Sequence, residues 1–187
     1  MRQIFNSLLV NYFIAFGLLC TSISCKNTGE KAATPENNIE IHTAILTDKL
    51  DDVKTYIQNG GDLNVKDPFG GSSPLISAAV FGKTEAAKLL LEAGADINFQ
   101  NNDGSTALHT AAFFCNTDIV NLLLANNADK SIKNKYEATA YDNVSAPFSQ
   151  MKDAYDMMGQ ALGPMGLKLD YAHIEATRPE IAKILQN

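Results

Sequence analysis

The sequence predicts an all-α protein, a solenoid of about four helix-turn-helix repeats with short β-turn fingers between them and a helical insertion in the last repeat. Two observations predict this architecture. A pattern recurs along the chain every 33 or 34 residues, and each copy contains a pair of short helices with one apolar face. A third observation, an amphipathic stretch that separates the two helices of the last copy, predicts the insertion.

The composition is that of a folded protein and argues against one class of partner. Of the 187 residues, 45% are hydrophobic and 19% are charged, which is too apolar for a disordered chain. Fifteen Lys and Arg face 21 Asp and Glu, for a net charge of -6, and the basic residues form no cluster. Because proteins that bind a phosphate backbone need a basic stripe, we expect no nucleic-acid partner.

Residues 1–24 differ in kind from the rest and predict a signal peptide. Arg2 precedes an apolar run from Ile4 to Leu19, an order that is typical of secretory signals. Two alternatives remain: a plain secretory signal cleaved nearby, and an uncleaved anchor, since the run approaches the roughly 20 residues that span a bilayer.

The junction LLCTSISC resembles a bacterial lipoprotein signal, in which small residues precede a cysteine that is acylated. Ser24 and Cys25 fit that pattern, whereas Ser22 stands where such signals usually have Leu. The rival Cys20 follows the bulky Leu19. The resemblance therefore implies lipidation at Cys25.

A polar tether follows the predicted lipidation site, over residues 25–38, and has a reach of roughly 20 Å. The folded body is predicted over residues 39–187 and keeps one cysteine, Cys115, so it can form no internal disulfide. We expect a lipoprotein of the cell envelope, at the outer membrane or its periplasmic face. A secreted or periplasmic soluble protein is the alternative.

The recurring pattern aligns Ile41, Leu75, Leu108 and Tyr141, which are 34, 33 and 33 residues apart. Its three clearest copies contain IHTAILTDKLDDVKTYIQNGGDLN, PLISAAVFGKTEAAKLLLEAGADIN and ALHTAAFFCNTDIVNLLLANNADKS. The pattern resembles the ankyrin repeat, with its TPLHxAA opening, IVxxLL middle and GADxN close. The repeats are predicted at about 39–66, 67–100, 101–133 and 134–187.

The ends of the helices support this alignment independently of the family. Ser73, Thr106 and Thr139 each precede a first helix, where a hydroxyl accepts from free backbone N–H groups. Second helices are predicted to end at a left-handed residue, for which Gly and Asn are suited. The residues at that position are Gly60, Gly94 and Asn127.

A glycine is also expected in the loop between the two helices of each repeat. Gly82 meets this expectation, but Asp48 and Cys115 take its place in the first and third repeats. If the backbone there is left-handed, each side chain costs about 1–2 kcal/mol.

The last repeat is interrupted. On the repeat spacing, the residue equivalent to Val120 belongs at position 153, but the matching helix RPEIAKILQN places Ile181 there, some 28 residues later. The predicted insertion spans residues 146–177, and Pro179 is expected in the first turn of the final helix. Within the insertion, an amphipathic helix is indicated by Met151, Tyr155, Met158 and Leu162.

The second half of the insertion has a different pattern. Gly163-Pro164 is predicted to end its helix, and GLKLDY alternates apolar and polar residues, which predicts an extended segment. The insertion is either an elaborate end-cap or a partner-binding arm.

No catalytic or metal-binding pattern is present in the sequence. His42, His109 and His173 are more than sixty residues apart, and no phosphate-binding glycine motif or nucleophile-base pair is evident. The resemblance implies that His42 and His109 brace neighbouring loops. We therefore predict no enzyme, no cofactor and no metal.

The resemblance implies that a partner meets the concave face, formed by first helices and finger tips. Large side chains there are candidate binding residues: Phe69, Val80, Phe81, Phe113, Phe114 and Tyr136. In the alternative, Phe148, Met151 or Tyr155 of the insertion covers Phe113 and Phe114 from within.

The leading functional hypothesis is a monomeric protein–protein interaction module, tethered in the envelope of a Gram-negative bacterium. The alternative is an immunity or antitoxin-like protein that masks a toxic enzyme. A small-molecule carrier comes third, because open stacks of repeats rarely enclose a deep pocket.

Overall fold

The computed structural model describes residues 35–186, and it is entirely helical over that range, which confirms the predicted fold class. The predicted signal peptide, Cys25 and the tether up to residue 34 lie outside the described residues. The elements are α1 (Pro35–Leu46), α2 (Leu50–Gln58), α3 (Pro74–Val80), α4 (Thr84–Glu92), α5 (Ala107–Phe113), α6 (Thr117–Ala125), α7 (Asp142–Ser145), α8 (Phe148–Leu162), a 3-10 turn (Gly163–Met165) and α9 (Tyr171–Gln186).

The helices pair and stack as a solenoid. α1 packs on α2, α3 on α4 and α5 on α6, while the first helices α1, α3, α5 and α7 form one layer and α2, α4, α6 and α9 the other. The core lies along the seams between repeats, where apolar side chains from both layers meet. Its fully buried members include Ile45, Val53, Leu75, Leu90, Leu108, Ile119 and Leu123.

The last repeat is completed by α9, as predicted. Ile181 and Val120 are both fully buried, so the two residues aligned across the insertion occupy equivalent places in the core. Tyr141 departs from its counterparts, since it is half-buried and lies just before α7. α7 has only four residues because Ala146 is held extended, at ψ 148°, before Pro147.

Hydroxyl caps begin the first helices, which confirms the prediction. The Ser73 hydroxyl accepts from the Ile76 N–H, and Thr106 accepts from the His109 N–H. In the fourth repeat, the Thr139 hydroxyl donates to the Asp142 carboxylate (2.7 Å) and accepts from the Asp142 N–H.

The predicted left-handed positions are also confirmed. Second helices end at Gly60, Gly94 and Asn127, with φ of 72°, 92° and 62°. Asp48 and Cys115 adopt φ of 60° and 57°, close to the 64° of the equivalent glycine.

The insertion contains the predicted helix α8, which ends at Gly163, but Met158 does not lie on its packing face. Met158 is 42% exposed, whereas Tyr155 is fully buried. The packing stripe runs at intervals of four, through Met151, Tyr155 and Gly159, and the missing side chain of Gly159 leaves room for Leu169.

Two predicted boundaries are corrected. α1 begins at Pro35, so residues 35–38 are helical and not part of a tether. α9 begins at Tyr171 because Asp170 caps it, accepting from the His173 N–H, so the insertion ends near residue 170 and not at 177. Pro179 is therefore interior to α9; it lies on the exposed side, where water can reach the carbonyl that the proline leaves without a donor.

Candidate functional site

Each finger is folded around one side-chain oxygen. The Asp67 carboxylate accepts from the backbone N–H groups of Phe69, Gly70 and Ser72, at 2.6–2.8 Å. Burial acts to raise the pKa of Asp67, but these backbone donors outweigh it, and the pKa is lowered. The charged form, which accepts these bonds, is thereby stabilised.

The same device recurs one and two repeats later. Asn101 accepts from the Asp103 and Ser105 N–H groups, and Asn134 accepts from those of Tyr136 and Ala138. The three fingers consequently share one turn geometry, which a spacing of 33 residues places side by side.

Neighbouring fingers are joined to each other. The Asn102 N–H donates to the Gly70 carbonyl (3.0 Å), and the Lys135 N–H donates to the Asp103 carbonyl (2.9 Å). The Gln100 side chain bridges further, to the Lys133 carbonyl at 3.3 Å. The fingers thus form one continuous ridge, which we call the finger ridge (residues 62–72, 96–105 and 129–138).

Two aromatic side chains project from the finger ridge. Phe69 is 83% exposed and Tyr136 is 75% exposed, one at the tip of the first finger and one at the tip of the third. The tip of the middle finger is polar, with Asn102 and Asp103 exposed. Exposed aromatics of this size on a rigid turn are unusual on a free surface and are suited to burial in a partner.

Buried histidines fix the ridge to the helices. His109 accepts from the Thr106 N–H through Nδ1, so its proton is on Nε2, which donates to the Ala138 carbonyl at 3.0 Å. His42 bonds the Ser77 hydroxyl (2.8 Å) and the Val65 carbonyl (3.3 Å) in the same manner. Burial lowers the pKa of both rings, and the neutral form is the one these bonds require.

The other candidate residues lie at the ends of α3 and α5. Val80, Phe81 and Phe114 are half-buried and line one wall of a cleft of about 280 Å³; the opposite wall is the insertion, from Gly166 to Ile174. Sequence reasoning did not predict this cleft. The one available signal was the alternation in GLKLDY.

Phe113 is engaged within the chain. Its ring stacks on Tyr155 with centroids 4.5 Å apart, and Phe114 meets Phe113 edge-on at 5.1 Å. The alternative in which the insertion covers this position is therefore correct for Phe113. Phe114 keeps part of its surface open towards the cleft.

Comparison with known proteins agrees with this geometry. The profile of ankyrin repeats, in three copies, matches residues 41–134, which is 94 of 187 residues. The chain belongs to the ankyrin repeat family. Ankyrin repeats are protein–protein interaction modules, so the coarse functional prediction holds.

Two relatives place the ankyrin body among known proteins. The human DNA-binding protein RFXANK is 34% identical over 79 residues, covering 41% of this chain and 30% of that protein. The crystal structure of the ankyrin repeat domain of Bcl-3, described as a unique member of the IkappaB protein family, is 33% identical with a TM-score of 0.53 and covers 55% of this chain and 45% of its own. The chain thus spans less than half the length of each relative.

The insertion is attached to the ankyrin stack through a buried polar cluster. The Tyr155 hydroxyl donates to the Phe113 carbonyl at the end of α5 and accepts from Arg178 Nη1 at 2.7 Å. Arg178 Nη2 donates to the Asn143 and Ala146 carbonyls at the end of α7, at 3.0 and 2.8 Å. A cation suits the negative ends of these helices, which offsets part of the cost of burying it.

The chemistry of this cluster is that of a brace. Burial raises the pKa of Tyr155 to about 12 and that of Cys115 to about 11, despite the nearby Arg178 charge. Both groups therefore stay protonated near neutral pH, and the Cys115 thiol, 2% exposed, points its proton at the Ile174 carbonyl. A thiol in this state is a poor nucleophile.

Residues 35–186 contain neither a metal site nor a membrane span. Over that range no group of three or more His, Cys, Asp and Glu side chains could hold a metal. No helix in the same range is long and apolar enough to cross a membrane.

Proposed function

We propose that this ankyrin protein is a non-enzymatic interaction module, tethered in a bacterial cell envelope, that holds one protein partner on its finger ridge and concave face. One observation carries the proposal: Phe69 and Tyr136 are 83% and 75% exposed on a ridge of hydrogen-bonded turns. Burying a large apolar side chain contributes about 1.5–3 kcal/mol.

The rigidity of the ridge supports a binding role. Each turn is held by side-chain oxygens, each finger is bonded to the next, and buried histidines join two of them to the helices. A surface that is already ordered loses little entropy on association, so more of the contact energy appears as affinity.

The partner that we propose is a protein and not a nucleic acid. The name of RFXANK describes that protein as DNA-binding, but this chain carries a net charge of -6 and matches only 30% of it. An acidic chain repels a phosphate backbone. We further propose that the chain acts as a monomer.

The finger ridge is tested by capture of the partner from envelope extracts with the full chain. The double variant Phe69→Ala/Tyr136→Ala should reduce recovery of the partner about tenfold or more, since two aromatic contacts are lost. The matched control is Met157→Ala/Met165→Ala, which removes two exposed apolar side chains from the insertion.

Equal recovery with the folded finger variant would overturn the binding role of these two residues. A captured partner that is an enzyme, and that the chain inhibits, would favour the immunity-protein alternative.

The envelope tether is tested at Cys25. In cells supplied with labelled palmitate, Cys25→Ser should abolish acyl labelling and move the protein to the soluble fraction, because a lipid chain contributes about 0.8 kcal/mol of membrane binding per buried CH₂. Cys20→Ser is the matched control and should leave both properties unchanged. Labelling that survives Cys25→Ser would contradict the proposed site.

A further inference from the structure

We propose that the cleft between the insertion and the ends of α3 and α5 binds an extended peptide segment of the partner, in which an apolar side chain is followed by an acidic one. The inference rests on the proposed function, since it specifies what part of a protein partner this module recognises. The cleft is a feature of this chain's insertion and lies apart from the tips of the finger ridge.

The walls of the cleft suit an apolar side chain. Val80, Phe81 and Phe114 leave part of their surface open on one side, and Leu167 and Leu169 face them from the insertion. The volume is about 280 Å³, below the range of about 300–1,000 Å³ of small-molecule sites. The space therefore fits one or two side chains of a longer ligand better than an enclosed small molecule.

The backbone along the cleft is available for pairing. Between the 3-10 turn and α9, the N–H groups of Lys168 and Leu169 and the carbonyls of residues 167–169 make no hydrogen bond to any described residue. Leu167 and Leu169 are half-buried while Lys168 and Asp170 are exposed, the alternation of an extended chain. Such a segment can pair with an extended peptide through main-chain bonds.

Charge selects an acidic residue for the occupant. Lys168 is exposed and has no ion-pair partner among the described residues. The Asp170 carboxylate is already engaged by the His173 N–H as the cap of α9, and the amino end of that helix adds positive potential beside the cleft. A carboxylate on the peptide is therefore attracted to the Lys168 side of the cleft.

The test uses a phage-displayed library of random twelve-residue peptides, selected on the full chain. We expect the enriched peptides to combine aliphatic and acidic residues. Fluorescence anisotropy of a synthetic copy should show about tenfold weaker binding to Lys168→Glu, since a charge-assisted contact is replaced by repulsion. Phe81→Asp should weaken binding similarly.

The matched control is Lys183→Glu, which makes the same charge change at an exposed position of α9 and should alter affinity less than about twofold. Methylating alternate backbone nitrogens of the peptide should abolish binding if main-chain pairing holds it. Thermal unfolding of each variant checks that the fold is intact.

Failure of this inference is distinguishable from failure of the proposed function. No enrichment, or enriched peptides that bind Lys168→Glu and Phe81→Asp as well as the parent chain, overturns the cleft. Peptides weakened by Phe69→Ala/Tyr136→Ala instead also overturn it, while leaving the finger ridge as the site. Loss of partner capture in the finger variant, with no effect of Lys168→Glu, likewise overturns the cleft and leaves the ridge in place.

Discussion

Glu137 lies at φ 58°, at the position that Gly71 and Gly104 occupy in the two preceding fingers, with φ of 66° and 73°. A β-carbon costs about 1–2 kcal/mol in this region of conformational space. The exposed ion pair between Glu137 and Lys133, at 3.7 Å, offsets little of that cost.

We therefore expect Glu137→Gly to raise the free energy of unfolding by about 0.5–1 kcal/mol, the relief of the left-handed strain less the extra entropy of glycine in the unfolded chain. Urea unfolding measures the change. Glu137→Ala is the control, because it removes the same carboxylate and keeps the β-carbon; it should stay within about 0.5 kcal/mol of the parent. Equal stabilisation by both variants would mean that charge, not backbone strain, sets the effect.

Single residues were predictable where local geometry decides them. Gly60, Gly94 and Asn127 are left-handed as expected because a helix end restricts what can follow it. Glu137 was not predicted, since nothing in its residue type signals a positive φ. The alignment of the fingers held that information: the sequence places it in register with Gly71 and Gly104.

At the scale of elements, α8 and α9 depend on one buried pair. Tyr155 and Arg178 are 0% and 2% exposed, and together they supply donors to the carbonyl ends of α5 and α7. In the other repeats, the second helix follows the first after a short loop. Here the pair joins helices that the insertion has separated along the chain.

We expect Tyr155→Phe to lower the free energy of unfolding by about 1–3 kcal/mol, because it leaves the buried Phe113 carbonyl and one Arg178 N–H without a partner. The measurement is urea unfolding followed by circular dichroism. Tyr171→Phe is the control: it also removes a hydroxyl, but one that bonds Asp156 at 2.7 Å on a more accessible surface, so its effect should stay within about 0.5 kcal/mol. Similar losses in the two variants would refute the bracing role.

The existence of both helices was predictable from apolar spacing, but the start of α9 was not. Pro179 favours the first turn of a helix, so it drew the predicted boundary eight residues too far along. The actual start is fixed by Asp170, whose capping bond becomes evident only in three dimensions. A buried Arg178 was likewise beyond prediction, because arginine is rarely buried and its acceptors come from separate segments.

At the scale of the whole molecule, repetition made the fold predictable. A residue of one repeat packs against its counterpart in the next, so a spacing of 33 fixes the seams, as Leu75 and Leu108 show. The finger ridge follows from the same spacing. The cleft does not, because it forms between the regular stack and the non-repeating insertion, from Gly166 onward, and no period aligns those two parts.

The central claim is that seams between stacked repeats stabilise the chain and align its fingers. The free energy of unfolding of Leu90→Ala, measured in urea, tests it most directly, because Leu90 is fully buried in the stack. We predict a loss of about 2–5 kcal/mol, with Lys88→Ala, an exposed neighbour on the same helix, changing by less than about 0.5 kcal/mol. A loss below about 1 kcal/mol for Leu90→Ala would contradict the account.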